Sequence, residues 1–458
     1  MQRKRGVVMK INLSKNATFI IETLEKNGFE CFAVGGCVRD SLLSFEVNDW
    51  DFTTSATPDE IIDTFSDYTT IDVGKRFGTI CVVIDCENFE ITTYRTDGKY
   101  SDTRHPDSVC FSKNIKDDLS RRDFTINALA YNDRVGLVDE FDGLTDLKYG
   151  VIRCVGEPDV RFSEDALRIM RALRFASTYG FSIEPNTSKS IFSNKDKLNC
   201  VASERIIKEL SKLIVGPHAD FILRRYKEVI SEFIPEISVM FNFDQKSLHH
   251  NKDLWKHTVS AVKHTPQDEI MRTVMLLHDI GKPMTVSTDE QGHNHFHNHP
   301  KLSAEIASTI LKRLKYPSAF IGTVRQLIEY HDTRLTPDPK VIKRCLRDIG
   351  EDNMRMLLKI QRADILAQSS YKREEKLSTL SMVSEEFERI VNSDECYSLN
   401  NLCINGRDIL KFGVKNGSDV GVILSKCLDK VIDGTLENSR DELLVFSEHM
   451  LKSLEGMR

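Results

Sequence analysis

The chain has 458 residues, 40% hydrophobic and 29% charged, with a formal net charge of −6. That length exceeds one ordinary core and implies about two to four domains. No apolar run approaches the roughly 20 residues of a membrane helix. The eleven cysteines are odd in number and scattered without a Cys-x-x-Cys pair, which speaks against a disulfide framework or thiolate zinc site and for reduced, cytoplasmic thiols.

The first ten residues are basic, with an apolar stretch too short for a signal peptide, and read as a solvated tail; Met9 is an alternative start. Residues 14–28 read as an amphipathic helix ending at Gly28. Residues 29–34 are predicted as a short apolar strand leading into Gly35-Gly36, and 38–43 as the opening of a helix. A strand over 50–54 and a helix over 58–65, with Pro at its start, follow. Two β-rich runs, 79–85 and 88–95, are separated by Cys86-Glu87 and predict a hairpin. The polar stretch 96–108 reads as a mobile loop. Beyond residue 160 strand signals nearly vanish and helical periodicity continues to the end. The expected fold is α+β: a mixed α/β head over 1–150, then all-helical segments over 151–235, 236–382 and 383–458.

The strongest chemical signal is Gly35-Gly36-x-x-Arg39-Asp40 followed by Asp49-x-Asp51. Residues two apart on a strand share a face, so Asp49 and Asp51 project together and repel unless a cation lies between them. Mg²⁺ commonly takes one or two carboxylates plus substrate phosphates. The glycines allow close backbone approach to a phosphate, and Arg39 offers a charged fork. Arg121-Arg122-Asp123 opens an apolar run and could supply phosphate and ribose partners; a capped surface helix would read the same. In the run from Glu164 to Phe175, helical spacing would put Glu164, Asp165 and Arg168 on one face, with Arg171 and Arg174 continuing it. A carboxylate beside a guanidinium presents acceptor and donor edges to a base, although intrahelical ion pairs are the bland alternative. Residues 151–230 carry fourteen Lys and Arg against ten Asp and Glu, a local basic excess in an acidic chain.

These three motifs, in this order, resemble those of the class II tRNA nucleotidyltransferases, the CCA-adding enzymes and their poly(A) polymerase relatives. Asp142-Gly143-x-x-Asp146-Leu147, Arg153-x-Val155-Gly156 and Ser203-Glu204-Arg205-Ile206 also fit. The resemblance implies a nucleotidyltransferase head, then helical neck, body and tail, acting on the tRNA 3′ end and acceptor region with CTP and ATP, and neither DNA nor membrane. Asp49 and Asp51 would bind catalytic Mg²⁺ in a two-metal mechanism, with Glu90 a candidate third carboxylate. Gly35, Gly36 and Arg39 would hold the triphosphate. Arg122 and Asp123 would contact phosphate and ribose. Glu164, Asp165 and Arg168 would read the base, assisted by Arg171 and Arg174. The segment 95–110, with Arg95, Lys99, Tyr100, Asp102, Arg104 and His105, matches the flexible element that this family associates with A addition.

Ten of the thirteen histidines fall between His249 and His331. Imidazoles and carboxylates from several helices suit a divalent hydrolytic site. The set His257, His278-Asp279 and Asp364 resembles the HD phosphohydrolase superfamily and implies a divalent ion of unspecified identity, with His299 and His331 completing a wider site. His293, His295, His297 and His299 alternate and could converge, although His299 alone pointing inward is the favoured reading. The overall expectation is a CCA-adding enzyme with a secondary phosphohydrolase activity. The rivals are a poly(A) polymerase on the same head and an RNA-repair hydrolase whose head only binds RNA.

Overall fold

A computed structural model of the chain describes residues 10–98, 107–246, 252–414 and 417–456. The chain divides into two units, Met1–Pro235 and Glu236–Arg458.

In the first unit, α1 (Lys15–Lys26) begins where Ser14 accepts a hydrogen bond from the Ala17 amide, and it buries Ala17, Ile20, Ile21 and Leu24. That spacing is the apolar stripe of a helix packed on one side. Next come β1 (Cys31–Val34), α2 (Gly36–Leu42), β2 (Phe52–Thr54), α3 (Pro58–Thr64), β3 (Thr69–Ile71), β4 (Thr79–Ile84) and β5 (Glu87–Thr93). After α4 (Ile115–Ser120), β6 (Leu129–Asn132) and β7 (Gly136–Asp139) complete a seven-stranded sheet. Its order is β3-β4-β5-β2-β1-β6-β7. Strands β1, β2 and β6 are buried at every residue, which is why they read as short apolar runs rather than alternating ones. All neighbours pair antiparallel except β2 and β5, which run parallel with Phe52 opposite Ile91.

The β4–β5 turn is Asp85-Cys86, one residue earlier than the sequence suggested. A two-residue hairpin turn matching strand twist needs positive φ at both positions. Asp85 at 50° and Cys86 at 65° supply it, and Ile84 pairs with Glu87. The polar stretch after β5 is not all loop: Arg95–Asp97 pairs antiparallel with Val109–Phe111. Lys99, Tyr100, Asp102, Arg104 and His105 lie outside the described residues.

The remainder of this unit is helical, including α5 (Pro158–Glu164), α6 (Leu167–Tyr179) and α7 (Ser203–Val215), apart from a two-residue parallel pairing of Val151–Ile152 with Ser182–Ile183. Helix α6 buries Ile169, Met170, Leu173 and Phe175 and packs on α7, which buries Ile206, Leu210 and Leu213.

The second unit is built on α8 (Leu254–His264), α9 (Glu269–Leu277), α10 (His299–Arg313), α11 (Ser318–Tyr330), α12 (Pro339–Ile349), α13 (Glu351–Ala367) and α14 (Arg373–Asn392). One exception interrupts the helical pattern expected for this unit: Val286–Thr288 pairs antiparallel with Asn294–Phe296. Toward the C-terminus, Ile404, Ile409, Ile423, Leu428 and Leu443 form a separate small core. No helix among the described residues is long and apolar enough to cross a membrane.

Candidate functional site

Strand β1 delivers Gly35, whose φ is +82°. That backbone favours glycine, and a Cβ there would lie 2.8 Å from Arg122 Nη1, so any side chain would also displace the guanidinium lying over the turn. Arg122 is anchored by the fully buried Asp118 (3.3 Å), which also accepts from Arg121 (2.6 Å) and the Thr53 hydroxyl (3.0 Å).

Arg39 departs from the expected open fork. Its Nε and Nη2 donate to Asp40 at 2.9 and 2.8 Å, and its Nη1 donates to Asn127 Oδ1 at 2.5 Å. It lies 4.8 Å from the centre of the Phe175 ring and 5.1 Å from that of Tyr179, whose hydroxyl donates to Asp40 at 2.8 Å. Only 6% exposed, Arg39 braces the turn against α6. Both guanidinia stand beside the glycine turn, Arg122 over Gly35 and Arg39 with Nη2 3.7 Å from where a Cβ of Gly36 would lie, but Arg39 has its donors already engaged.

Asp49 and Asp51 precede β2 rather than lying within it, and both are exposed. The parallel β2–β5 register, Phe52 opposite Ile91, brings Asp51 alongside Glu90 on the face opposite those apolar residues. Although its side chain reaches solvent, the protein packed closely around Asp51 pushes it up to about 6, with the charges of Glu90 and Asp49 adding to this and Arg122 opposing. Crowded carboxylates of this kind fit a hydrated Mg²⁺. They are not drawn tight: among the described residues, the groups whose ligand atoms gather within 4.8 Å of one another all lie in the second unit.

The run from Glu164 is not one helix. Asp165 is extended, with φ −146° and ψ 104°, and ends α5. Its Oδ1 accepts from the Leu167 amide (3.0 Å), an N-cap-type bond that starts α6. Asp165 therefore does not share a helix face with Arg168. It is forked instead by Arg205 of α7, at 3.1 and 2.7 Å. Glu164 bridges Arg168 and Arg161, both at 2.5 Å, across the break. Arg168 also donates to the carbonyls of Arg161 (3.2 Å) and Arg121 (3.1 Å).

Asp123 accepts from Arg171 (2.7 Å), Asn127 (2.9 Å) and the Phe124 amide (2.8 Å). Burial opposes its ionisation, yet Arg171 and these bonds hold its carboxyl well below the usual range. Arg174 pairs with the buried Glu209 (3.1 Å) and stacks 3.9 Å from the centre of the Phe175 ring. Asp118, Arg161 and Glu209 had no role in the sequence reading. Spacing offered the first two, since Asp118 precedes Arg121 and Arg122 by three and four residues and Arg161 precedes Glu164 by three, whereas Glu209 reaches Arg171 and Arg174 only through the packing of α7 on α6.

In the second unit all six expected ligands meet. Asp279 is 1% exposed; its Oδ2 faces His278 Nε2 (3.1 Å) and His257 Nε2 (3.5 Å), and its Oδ1 faces His299 Nε2 (3.3 Å) and His331 Nε2 (3.6 Å). Asp364 Oδ1 lies 3.0 Å from His257 Nε2 and 3.7 Å from His278 Nε2. Three imidazoles are oriented alike: Nδ1 of His278, His299 and His331 each meets the backbone carbonyl three residues back, at 2.8, 2.8 and 2.7 Å. Donation at Nδ1 leaves the Nε2 lone pair aimed into the cluster, the arrangement metal-bound histidines adopt. His278 Nε2, Asp279 Oδ1 and His299 Nε2 are buried without a well-formed hydrogen bond. Burial opposes a charge on His278, whereas the carboxylates of Asp279 and Asp364 favour one, the same field that would hold a divalent cation. These residues fit one or two divalent ions sharing Asp279. Lys282, also buried, donates to Asp279 (2.7 Å) and Gln245 (3.3 Å). Of the alternating histidines only His299 is buried; His293 and His295 turn to Asp289, and His295 stacks with His297.

Residues 31–153 match the poly(A) polymerase head domain, 180–239 the probable RNA- and SrmB-binding site of polymerase A, and 284–447 the putative tRNA nucleotidyltransferase domain 2. Sheet, glycine turn and these matches define the nucleotidyltransferase class. A CCA-adding enzyme of Lactobacillus delbrueckii subsp. bulgaricus is 33% identical over 428 residues, 93% of this chain and 96% of that protein. One of Geobacillus thermodenitrificans is 44% identical over 225 residues, 49% of this chain and 55% of the relative. The crystal structure of the Bacillus stearothermophilus CCA-adding enzyme in complex with CTP superimposes with a TM-score of 0.68 at 25% identity, covering 96% of this chain and 98% of that one. The chain belongs to the CCA-adding enzyme family.

Proposed function

We propose that the first unit, with its head over 1–150 and neck over 151–235, adds CCA, or the terminal A, to tRNA 3′ ends from CTP and ATP. The observation carrying this is the family relationship along nearly the whole chain, joined to a glycine turn, Arg122 and three carboxylates, two just before β2 and one on the paired β5. The RNA 3′-hydroxyl attacks the α-phosphate, a phosphodiester forms, and pyrophosphate leaves. Asp49 and Asp51, with Glu90 beside them, would hold Mg²⁺, which when bound stabilises charge on the transferring phosphate. Gly35 and Gly36 let the backbone approach the phosphates, and Arg122 neutralises them. Asp123 keeps Arg171 oriented, while Asp165 and Arg168, fixed by Arg205 and Glu164, present hydrogen-bond edges to the base. The C-terminal segment, 383–458, would hold the tRNA. The test is to incubate the protein with tRNA lacking its last three nucleotides, with CTP and ATP singly and together, and to sequence the products. Defined CCA ends are expected; long A tails from ATP alone would favour a poly(A) polymerase instead.

The six-residue cluster supports a second activity, a metal-dependent phosphohydrolase of HD type over 236–382 that acts on cyclic or terminal phosphates of nucleotides or damaged tRNA ends. A divalent ion there would supply a hydroxide nucleophile and charge stabilisation. One water adds to a 2′,3′-cyclic phosphate, the P–O3′ bond opens, and the proton passes to O3′, restoring the hydroxyl that the first unit extends. Paired His278→Ala and Asp279→Ala changes should abolish hydrolysis with Mg²⁺, Mn²⁺ and Ni²⁺ while CCA addition persists.

A further inference from the structure

A cavity of about 790 Å³ opens over the histidine cluster, with Asp279, His299, His331 and Asp364 among its lining residues. Those groups suffice for the one phosphate being cleaved. The rest of the lining is therefore unexplained by hydrolysis alone. It includes Arg334 from the segment after α11, and Tyr371, Lys372 and Lys376 at the start of α14.

Lys376 is the best placed of these. It is half-buried, and its ammonium donates to Gln368 Oε1 at 2.6 Å. The Gln368 amide donates in turn to Asp364 Oδ2 at 2.7 Å, leaving Asp364 Oδ1 to face His257 and His278. One side-chain chain thus connects the wall of the cavity to a ligand of the cluster and fixes the position of the cation. Partial burial destabilises this ammonium. Holding a lysine out of water costs free energy that an anion bound in the cavity offsets. Lys372 and Arg334 are exposed and extend the positive wall, whereas Asp332 and Glu375 temper it. Tyr371 adds an aromatic face of the kind on which unpaired bases stack.

We propose that this wall, Lys376 first with Arg334 and Lys372 beside it, is a subsite for a second phosphate one nucleotide away from the one cleaved, so that the cavity takes the end of an RNA chain in preference to a mononucleotide. This rests on the phosphohydrolase reading given above. The cavity lies within the range of roughly 300–1,000 Å³ used by ligand sites, and its open mouth admits a continuing chain.

The test uses the full chain loaded with Mn²⁺ or Ni²⁺ and three substrates: 2′,3′-cyclic AMP, an adenosine dinucleotide ending in a 2′,3′-cyclic phosphate, and ADP. The dinucleotide should be cleaved with a kcat/KM roughly tenfold or more above that of the mononucleotide, as expected for one added charge-assisted contact. Lys376→Ala should raise KM for the dinucleotide by a similar factor, change KM for cyclic AMP far less, and be rescued by Lys376→Arg. Equal effects of Lys376→Ala on both cyclic substrates, or none on either, would overturn the subsite while leaving the hydrolase reading intact. Preferential cleavage of ADP would also overturn it, by assigning the wall to a polyphosphate. No cleavage of any substrate would overturn the hydrolase reading and this inference with it.

Discussion

Loading the histidine cluster with a divalent ion should raise the melting temperature of the second unit and leave the first unmoved. A ligand that binds only the folded state stabilises by about 2.7 kcal/mol at a hundredfold excess over its Kd. The ligands come from distant parts of the sequence, His257 on α8 through Asp364 on α13, so the unfolded chain offers no comparable site. For a domain of about 150–250 residues each kcal/mol shifts the melting temperature by roughly 2–4 °C, giving about 5–11 °C here. The assay is calorimetry of chelator-treated protein before and after addition of Mn²⁺, Ni²⁺ or Mg²⁺, with His278→Ala as control and metal content measured on the same samples. The reasoning would be refuted by the absence of any upward shift at millimolar metal, or by an equal shift in His278→Ala.

Asp51→Ala should abolish nucleotide addition without lowering the melting temperature, because the residue is exposed and contributes a carboxylate rather than packing; radiolabelled CTP incorporation near the wild-type rate would count against the site. Asp165→Ala and Arg205→Ala should both relax the choice among CTP, ATP, UTP and GTP, each losing about 1–3 kcal/mol of discrimination; unchanged selectivity with weakened tRNA binding would make them plain RNA contacts. Asp123→Asn should cost about 2 kcal/mol at neutral pH, less than breaking a fully buried pair, because Arg171 keeps 33% of its side chain exposed. Because the folded-state pKa of Asp123 is depressed, its contribution is present above the usual carboxylate pKa of about 3.9 and is lost as pH falls toward the folded value. The gap between wild type and Asp123→Asn in thermal melts should therefore narrow below about pH 4, and a gap independent of pH would argue that the effect is steric.

The sequence made the chemistry more legible than the geometry. Asp49 and Asp51 stand out because close carboxylates are costly without a cation, and the histidine set because ten of thirteen fall in one segment. Glu90 was ambiguous for a physical reason: only the parallel β2–β5 register brings it beside Asp51, and register between distant strands is not written in local pattern. The helix break at Asp165 was hidden because the charged spacing from Glu164 to Arg174 satisfies helical periodicity on paper. What decides it is a side chain that accepts from an amide two residues on while salt-bridged by Arg205, 40 residues away, and the distant partner is invisible in local spacing. Arg39 was read as a ligand for phosphate because motif position says nothing of the aromatic pair on α6 that covers it.

That aromatic cover also bears on how the protein can be dissected. Phe175 and Tyr179 belong to the helical stretch after the sheet, yet they shelter a guanidinium from the sheet's own glycine turn, and Arg161 reaches back to the Ser120 carbonyl at 3.2 Å. A fragment ending near residue 150 would leave Arg39 stripped of both rings and Asp40 without the Tyr179 hydroxyl. Limited proteolysis should thus spare the junction around 150, and the shortest piece retaining an intact nucleotide pocket should extend to about Pro235.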